Sequence, residues 1–278
     1  MKVKKILNSL GSAAIFILIA FCVLFPVYWL VVTSLKPQSE IFSMPPSFFP
    51  RNITAENYIE VTRNYNIIKY FFNSFFLTAV CTAIIMVVAS LAAYAISRYH
   101  FKGRNIAYVA VLSAQMVPVV TLLIPLYTFW SNLKMVNSFA SLGIVYTGFF
   151  ASIAIWLLTS HFESIPKTID EAARIDGAGT LRIIFTIIVP LAKPGLMAAA
   201  TTIILNVWQE VMISMTFISS EAMRTLPVAV MGFIKSPQGT RWGPMTAAGV
   251  MAFVPVFIVY LFLQKYMVSG MTAGAVKE

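Results

Sequence analysis

Long apolar stretches alternate with shorter polar connections along the whole chain. Each stretch reaches the roughly 20 residues that a helix needs to cross a bilayer. Pro118 and Pro125 fall inside the third stretch and predict a kink there. The six stretches run from about Gly11 to Leu35, Tyr70 to Ser97, Asn105 to Phe129, Ser138 to Ser160, Leu191 to Ser219 and Pro244 to Tyr266. This pattern predicts an all-α, polytopic membrane protein with about six transmembrane helices.

The composition supports that prediction and excludes a soluble globule. Hydrophobic residues make up 59% of the 278 residues, charged residues 11%, and the mean hydropathy is +0.83. Soluble domains average roughly 45–50% and 25% for the two classes, so too few charges remain to cover a soluble surface. We expect one membrane domain over residues 1–278. Cys22 and Cys81 both fall in apolar stretches and are expected to be packing residues.

The basic residues predict the orientation of the chain. The net charge of +10 is spread thinly between apolar stretches, which argues against a nucleic-acid partner and for a charge bias that sets topology. Three basic residues lie between Arg98 and Arg104, against the single Lys134 in the next connection. We therefore expect both termini in the cytoplasm. The first stretch is too long for a signal peptide and is interpreted as the first span.

The predicted inside connection from His161 to Lys193 contains two candidate helices separated by the segment Gly177-Ala178-Gly179. Pro166 suits the first position of the first helix, and Thr168 with Glu171 has the spacing of a capping box. Thr180 is the expected cap of the second helix. These signals predict a structured loop between two spans.

The first of these helices has a narrow apolar side and charged flanks. Ile169, Ala172 and Ala173 have the spacing of one helix face. Asp170 and Arg174 are predicted to form an exposed pair one turn apart. Such a helix either docks into the groove of a partner, with Glu171, Arg174 and Asp176 making ion pairs, or rests on the membrane surface.

The segment EAARIDGAGTLRIIFTIIVP resembles the EAA loop of the membrane subunits of bacterial ABC importers. Val189 stands where that loop usually has leucine. FPVYWLVVTSLKP, SLAAYAISRYHFKG, NVWQEVMISMTFIS and GMTAGAVKE are similar to the second six-span subunit of the carbohydrate, maltose-type branch. Gln209 replaces a usual asparagine, and Glu278 a usual glycine. The resemblance covers nearly the whole chain and implies the type I ABC importer permease fold.

The resemblance also implies partners and a coupling site. The expected partners are a homologous second permease subunit, two copies of a cytoplasmic ATPase, an extracytoplasmic solute-binding protein, membrane lipid and a sugar substrate. The chain has no G-x-x-x-x-G-K-[ST] segment, so ATP and Mg are expected on the ATPase and no cofactor on this chain. Glu171 is implied to pair with a basic group of the ATPase. The implied ATPase-coupling residues are Glu171, Ala172, Ala173, Arg174, Asp176 and Gly177.

Glu210 is the one acidic residue that falls well inside a predicted span, where an ionised group is costly. Thr202, Asn206, Glu210 and Ser214 recur at every fourth position and predict a polar stripe along a translocation path. Trp208 and Trp156 are candidate sugar-stacking surfaces. The alternative is that Glu210 bonds to a neighbouring helix or lies near the outer boundary.

The predicted outside connection before the last span carries a turn-rich tip, Ser236, Pro237, Gln238 and Gly239. The resemblance implies that this loop contacts the solute-binding protein. Taken as a bare sequence, it is only a loop.

Three alternatives to a sugar importer remain. Close relatives of this branch carry glycerol phosphates, and nothing in the sequence excludes that substrate. An ion-coupled secondary transporter usually needs intramembrane carboxylates, and one glutamate is thin support. A membrane enzyme is least favoured, because the sequence has no catalytic or metal-binding constellation. We expect a multi-pass permease in a bacterial cell membrane.

Overall fold

The computed structural model describes the backbone of residues 2–234 and 239–275 and the side chains of residues 15–234 and 239–264. Within these residues the chain is helical and contains no strand. The all-α prediction is confirmed. The main helices are α1 (Lys2–Ser34), α2 (Gln38–Ile41), α3 (Glu56–Asn64), α4 (Ile67–Arg98), α5 (Arg104–Ser113), α6 (Val119–Asn132), α7 (Phe139–Glu163), α8 (Lys167–Ile175), α9 (Thr180–Arg182), α10 (Val189–Leu191), α11 (Lys193–Trp208), α12 (Met212–Phe217), α13 (Leu226–Gly232) and α14 (Trp242–Ala275).

Four of the described helices contain an uninterrupted segment long and apolar enough to span a bilayer: Ile15–Ser34, Ile67–Arg98, Phe139–Glu163 and Trp242–Gln264. Two further pairs of helices are long and apolar enough only when the two members are taken together, and each pair is sharply bent at its break. Arg104–Met116 and Val119–Asn132 meet at 98°, and Thr180–Leu191 and Lys193–Trp208 meet at 87°. The uninterrupted helices of the described residues give four spans, and counting each bent pair as one span gives the six that the sequence predicts.

The kink predicted in the third span is a complete break. The helix stops after the short 3-10 turn Ala114–Met116, and Pro118 is the N-cap of α6. Pro118 cannot donate a backbone hydrogen bond to the preceding turn, which ends the first helix and starts the second. Pro125 lies within α6 without ending it.

The fifth apolar stretch is also interrupted, which the sequence prediction missed. The helix α11 ends at Trp208, and α12 begins at Met212 after three non-helical residues. A six-residue π-helix, Ile183–Ile188, precedes α11. The predicted uninterrupted span from Leu191 to Ser219 is therefore wrong.

The chain divides into two compact units. The first is Met1–Ile68 with Ala229–Val254, and the second is Lys69–Val228 with Pro255–Glu278. In the first unit, Asn57 of α3 is buried, and its amide donates to the carbonyls of Ser34 at 2.9 Å and Lys36 at 2.8 Å. These bonds satisfy one backbone acceptor in the last turn of α1 and one just after the helix.

The second unit contains the main apolar core. Buried residues of α4, α7 and α11 form it, together with residues of the π-helix and the segment around α12. Tyr94, Tyr146 and Phe162 are among its largest fully buried side chains. Cys81 is buried in this core as expected, whereas Cys22 is exposed on α1, so its packing role is not seen within the chain.

Candidate functional site

The helix α8 lies in the connection between α7 and α9 and ends at a well-formed C-terminal cap. Gly177 adopts φ +80°, a conformation that glycine tolerates and other residues rarely adopt. The amide of Ala178 donates to the carbonyl of Ala173 at 2.9 Å, and that of Gly177 to the carbonyl of Arg174 at 3.0 Å. This is a Schellman motif. The prediction of two helices separated by Gly177-Ala178-Gly179 is confirmed.

The start of each helix differs from the prediction. Pro166 is the N-cap of α8 rather than its first residue, and no side chain caps this end. Thr168 therefore lies inside the helix, where its hydroxyl cannot accept from the first free amides, so the predicted capping box is wrong. Gly179 is the N-cap of α9, which makes Thr180 its first residue rather than its cap.

The two sides of α8 face different surroundings. Asp170 and Ala173 are buried, and Ala173 belongs to the apolar core. Glu171, Ala172 and Ile175 are exposed, and Ile175 shows 87% of its surface. Residues 171 and 175 are one turn apart and so share a face. The prediction of a single apolar face with Ala172 and Ala173 is therefore wrong, because these two residues lie on different sides.

Asp170 is held by the end of α4. Its Oδ2 lies 3.1 Å from Nε of Arg98, and its Oδ1 accepts a hydrogen bond from the Tyr94 hydroxyl at 2.8 Å. The predicted exposed pair of Asp170 with Arg174 is wrong. The buried guanidinium of Arg98 draws the carboxylate inward, since a buried charge needs a partner.

Arg174 instead lies on an aromatic ring. Its guanidinium carbon is 5.6 Å from the centre of the Tyr99 ring, and Nη2 donates to the Tyr99 hydroxyl at 3.2 Å. The rings of Tyr94 and Tyr99 contact each other edge-on with centres 6.0 Å apart. The Tyr99 hydroxyl is also 3.4 Å from the Thr180 hydroxyl. Asp176 and Gly177 are exposed.

Tyr94 and Arg98 are site residues that sequence reasoning missed. The charge pattern along the sequence gives Arg98 only a role in setting topology. The available signal was their spacing: a tyrosine and an arginine one turn apart close the second apolar stretch, on a helix side that continues the buried residues of α4. Their partner is 72 positions further on from Arg98, at Asp170, and no local pattern specifies that distance.

The Glu210 carboxylate joins the two halves of the interrupted fifth segment. Oε1 accepts from the amide of Ile213 at 2.7 Å, and Oε2 accepts from the amide of Ser214 at 3.0 Å. The hydroxyl of Tyr146 on α7 donates to Oε2 at 2.6 Å. Glu210 thus satisfies free amides at the start of α12 and bonds to a neighbouring helix.

The other predicted path residues occupy different settings. Asn206 is half-buried and donates to the carbonyl of Thr202 at 2.8 Å. Trp208 is buried and meets the Phe71 ring edge-on at 5.7 Å. Ser214 is fully buried, with its hydroxyl 3.1 Å from that of Thr225. Because α11 ends at Trp208, the four polar positions are not one stripe on one helix.

Trp156, the second candidate stacking surface, is 48% exposed on α7. The loop predicted to contact a solute-binding protein is described only in part, because Ser236, Pro237 and Gln238 lie outside the described residues. Gly239 is described and adopts φ +88°. Nearby, Arg241 forms an ion pair with Glu60, and its guanidinium carbon lies 5.8 Å from the centre of the Tyr65 ring.

The described residues thus form a polytopic all-α chain with a short helix, closed by a C-terminal cap, between two candidate spans. Residues 85–273 match the family described as the binding-protein-dependent transport system inner membrane component. The chain belongs to this family of ABC importer permeases and is a multi-pass membrane protein.

Similar proteins cover almost the whole chain. It is 35% identical over 254 residues to the sulfoquinovosyl glycerol transport system permease protein of Agrobacterium fabrum, covering 91% of this chain and 89% of that one. It is 35% identical over 276 residues to the trehalose/maltose transport system permease protein of Thermococcus litoralis, covering 99% and 97%. A solved bacterial ABC transporter involved in alginate import has a chain with a TM-score of 0.82 and 24% identity, covering 94% and 96%. The type I ABC importer permease fold is confirmed.

Proposed function

We propose that this chain is one of two homologous permease subunits of a bacterial ABC importer for a sugar or oligosaccharide. It lies in the cell membrane with both termini in the cytoplasm. The observation that carries the proposal is the arrangement of α8. Asp170 and Ala173 fix this helix to the chain, and Glu171 and Ile175 are exposed on its surface. In the proposed orientation this exposed face lies in the cytoplasm.

The exposed face of α8 suits a protein partner better than a membrane surface. An isoleucine exposed at 87% gains free energy when a partner covers it, and the small Ala172 side chain allows close approach. Glu171 on the same face supplies a directional ion pair with a basic group. A helix resting on the bilayer would instead need a broader apolar face.

The chain does no covalent chemistry in this proposal. Two ATPase copies bind ATP and Mg and hydrolyse the nucleotide, since the chain has no phosphate-binding G-x-x-x-x-G-K-[ST] segment. Closure of the ATPases moves the docked α8 and its counterpart on the second permease subunit. That movement switches the spans between inward- and outward-facing states.

The substrate passes between the two permease subunits. Among the predicted path residues, Asn206 and Glu210 keep partly exposed surface, whereas Trp208 and Ser214 are buried in the chain. We propose Asn206 and Glu210 as the members that can contact a passing sugar. A solute-binding protein delivers it, with the loop at Ser236, Pro237, Gln238 and Gly239 as the proposed contact.

Sugar is preferred to glycerol phosphate because the transport systems of the similar permeases are named for sugars and a sugar glycoside. The direct test is to identify the ligand that the cognate solute-binding protein retains after purification. A sugar supports the proposal, and a glycerol phosphate replaces the substrate while leaving the importer assignment intact.

The coupling role is tested with Glu171→Lys. Reversing this exposed charge should abolish co-purification of the ATPase with the permease and the stimulation of ATP hydrolysis by the binding protein. Membrane insertion should be unchanged, because Glu171 makes no described contact that holds the fold. Glu56→Lys, a reversal at an exposed carboxylate of α3, is the matched control and should retain the ATPase. Normal association in Glu171→Lys would contradict the proposal.

A further inference from the structure

The contact between Asp170 and the end of α4 is a buried ionic cluster, which we name the buried joint: Tyr94, Arg98 and Asp170. The side chains of Arg98 and Asp170 are 4% and 7% exposed. Arg98 is the last residue of α4, and Tyr94 lies one turn before it. The joint therefore ties α8 directly to the cytoplasmic end, in the proposed orientation, of a 32-residue helix.

A second contact reinforces the same connection. Arg174, one turn after Asp170, lies over the ring of Tyr99, which follows α4 by one residue. Two successive turns of α8 thus contact the same end of α4. A helix held at two successive turns resists both sliding and rotation against its neighbour, so movement of α8 is passed to α4.

Stability alone does not explain the buried joint. Removing two charges from water costs several kcal/mol per ion, and apolar residues often serve stability as well or better. The pair is also incompletely satisfied: Nη1 and Nη2 of Arg98 have no hydrogen-bond partner among the described residues. Nε lies within ion-pair distance of Oδ2 but is not aligned as a hydrogen bond. The geometry therefore indicates that the pair fixes the position of α8 relative to α4 and does not maximise the stability of their contact.

We propose that the buried joint transmits the displacement of α8 to α4 during the transport cycle. This inference rests on the proposed coupling function of α8. The two neighbouring carboxylates then have separate tasks: Glu171 faces the ATPase, and Asp170 faces the permease's own span. Asp170 and Arg98 are positioning residues that keep α8 and α4 moving as one body.

The experiment measures whether the two helices move together. Spin labels are placed at Lys167→Cys, at the start of α8 and away from Glu171 and Ile175, and at Leu91→Cys on α4. Both positions are exposed, and the background has Cys22 and Cys81 replaced by alanine. Their separation is measured by pulsed electron resonance in the complete complex, before and after trapping with Mg-ATP and vanadate. With Asp170 intact, we expect the separation to stay unchanged on trapping.

Asp170→Asn removes the charge and keeps the shape of the side chain. We expect trapping to change the label separation in this variant, because α8 then moves with the ATPase while α4 no longer follows it fully. The ATPase should still co-purify, because the exposed face of α8 is untouched. Glu163→Gln is the matched control: it removes an exposed carboxylate paired with Arg104 at 3.0 Å, and should behave as the parent.

The outcomes separate the two proposals. If the parent complex retains no ATPase, the coupling function fails and the joint's role fails with it. If Asp170→Asn retains the ATPase and its label separation stays unchanged on trapping, only the joint is overturned. Loss of the ATPase in Asp170→Asn also overturns it, since the joint would then shape the docking face rather than transmit motion.

Discussion

Asp170 and Glu171 are neighbours in the chain with opposite surroundings. Asp170 is buried against Arg98 and Tyr94, whereas Glu171 is exposed on the other side of the helix. The 100° turn between successive helical residues produces this division. One residue thus fixes the helix to the permease, while the next remains free for a partner. The function of the loop depends on this difference at the scale of single side chains.

A glycine controls the approach of α7 and α11. A Cβ at Gly195 would lie 2.1 Å from Cδ2 and 2.2 Å from Cγ of His161. Gly195→Ala should therefore destabilise the folded permease by about 1–3 kcal/mol, the usual cost of overpacking. Thermal unfolding in detergent measures the effect. Gly148→Ala is the control, because a Cβ there meets nothing within 4 Å. Equal unfolding temperatures for the two variants would refute the packing argument.

Glu40 gives the loop after α1 a dependence on pH. A hydrogen bond from the Ser47 hydroxyl, followed by one from the Arg51 amide, holds the pKa of Glu40 below its ordinary value of 4.5. A lowered folded pKa means that the stabilisation is complete above the unfolded pKa and is lost as the pH falls through the folded one. The protection of the Arg51 and Asn52 amides against hydrogen exchange, measured relative to the intrinsic exchange rate at each pH, should therefore fall as the pH drops through the lowered pKa of Glu40. Glu40→Gln should remove the pH dependence, and an unchanged profile in that variant would contradict this explanation.

At the scale of elements, the interruptions in the apolar segments need their own hydrogen-bond partners. Backbone groups freed inside a membrane must be satisfied by protein, because lipid offers none. The break before α12 meets this need through Glu210, whose two oxygens accept from the amides of Ile213 and Ser214. The carboxylate in this segment therefore has a structural task whether or not it also contacts a substrate.

Glu210→Ala should loosen the break because it removes three hydrogen bonds at once. Bonds to charged groups contribute about 1.5–3 kcal/mol each, so the loss in unfolding free energy should exceed that of Tyr146→Phe, which removes one. Thermal unfolding of the purified complex compares the two variants. If Glu210→Ala were as stable as the parent while uptake fell, the carboxylate would act on the substrate rather than on the helix.

At the scale of the whole molecule, the spans could be predicted because membrane insertion depends on long apolar stretches, which are visible in the sequence. The break at Pro118 could be predicted because proline acts on its own turn. The break after Trp208 could not, because it contains no proline or glycine and depends on Glu210 reaching forward to α12 and across to Tyr146. Local patterns do not record such contacts.

The candidate site could also be predicted only in part. Its position, its two helices and the glycine between them follow from local signals and from the resemblance. Local signals do not show which side of α8 faces the rest of the chain. Ala172 and Ala173 are equally apolar, and only packing distinguishes them. The Arg98–Asp170 pair joins elements far apart in the chain, so it can be recognised only once the fold is known.

The most direct test of the central claim is uptake into vesicles that contain the complete complex. The permease pair, the ATPase and the loaded solute-binding protein are reconstituted, and accumulation of the ligand retained by that binding protein is measured. Our account predicts accumulation only when ATP and Mg are supplied on the ATPase side, and none with Glu171→Lys. Accumulation driven by an ion gradient without ATP, or normal accumulation with Glu171→Lys, would contradict it.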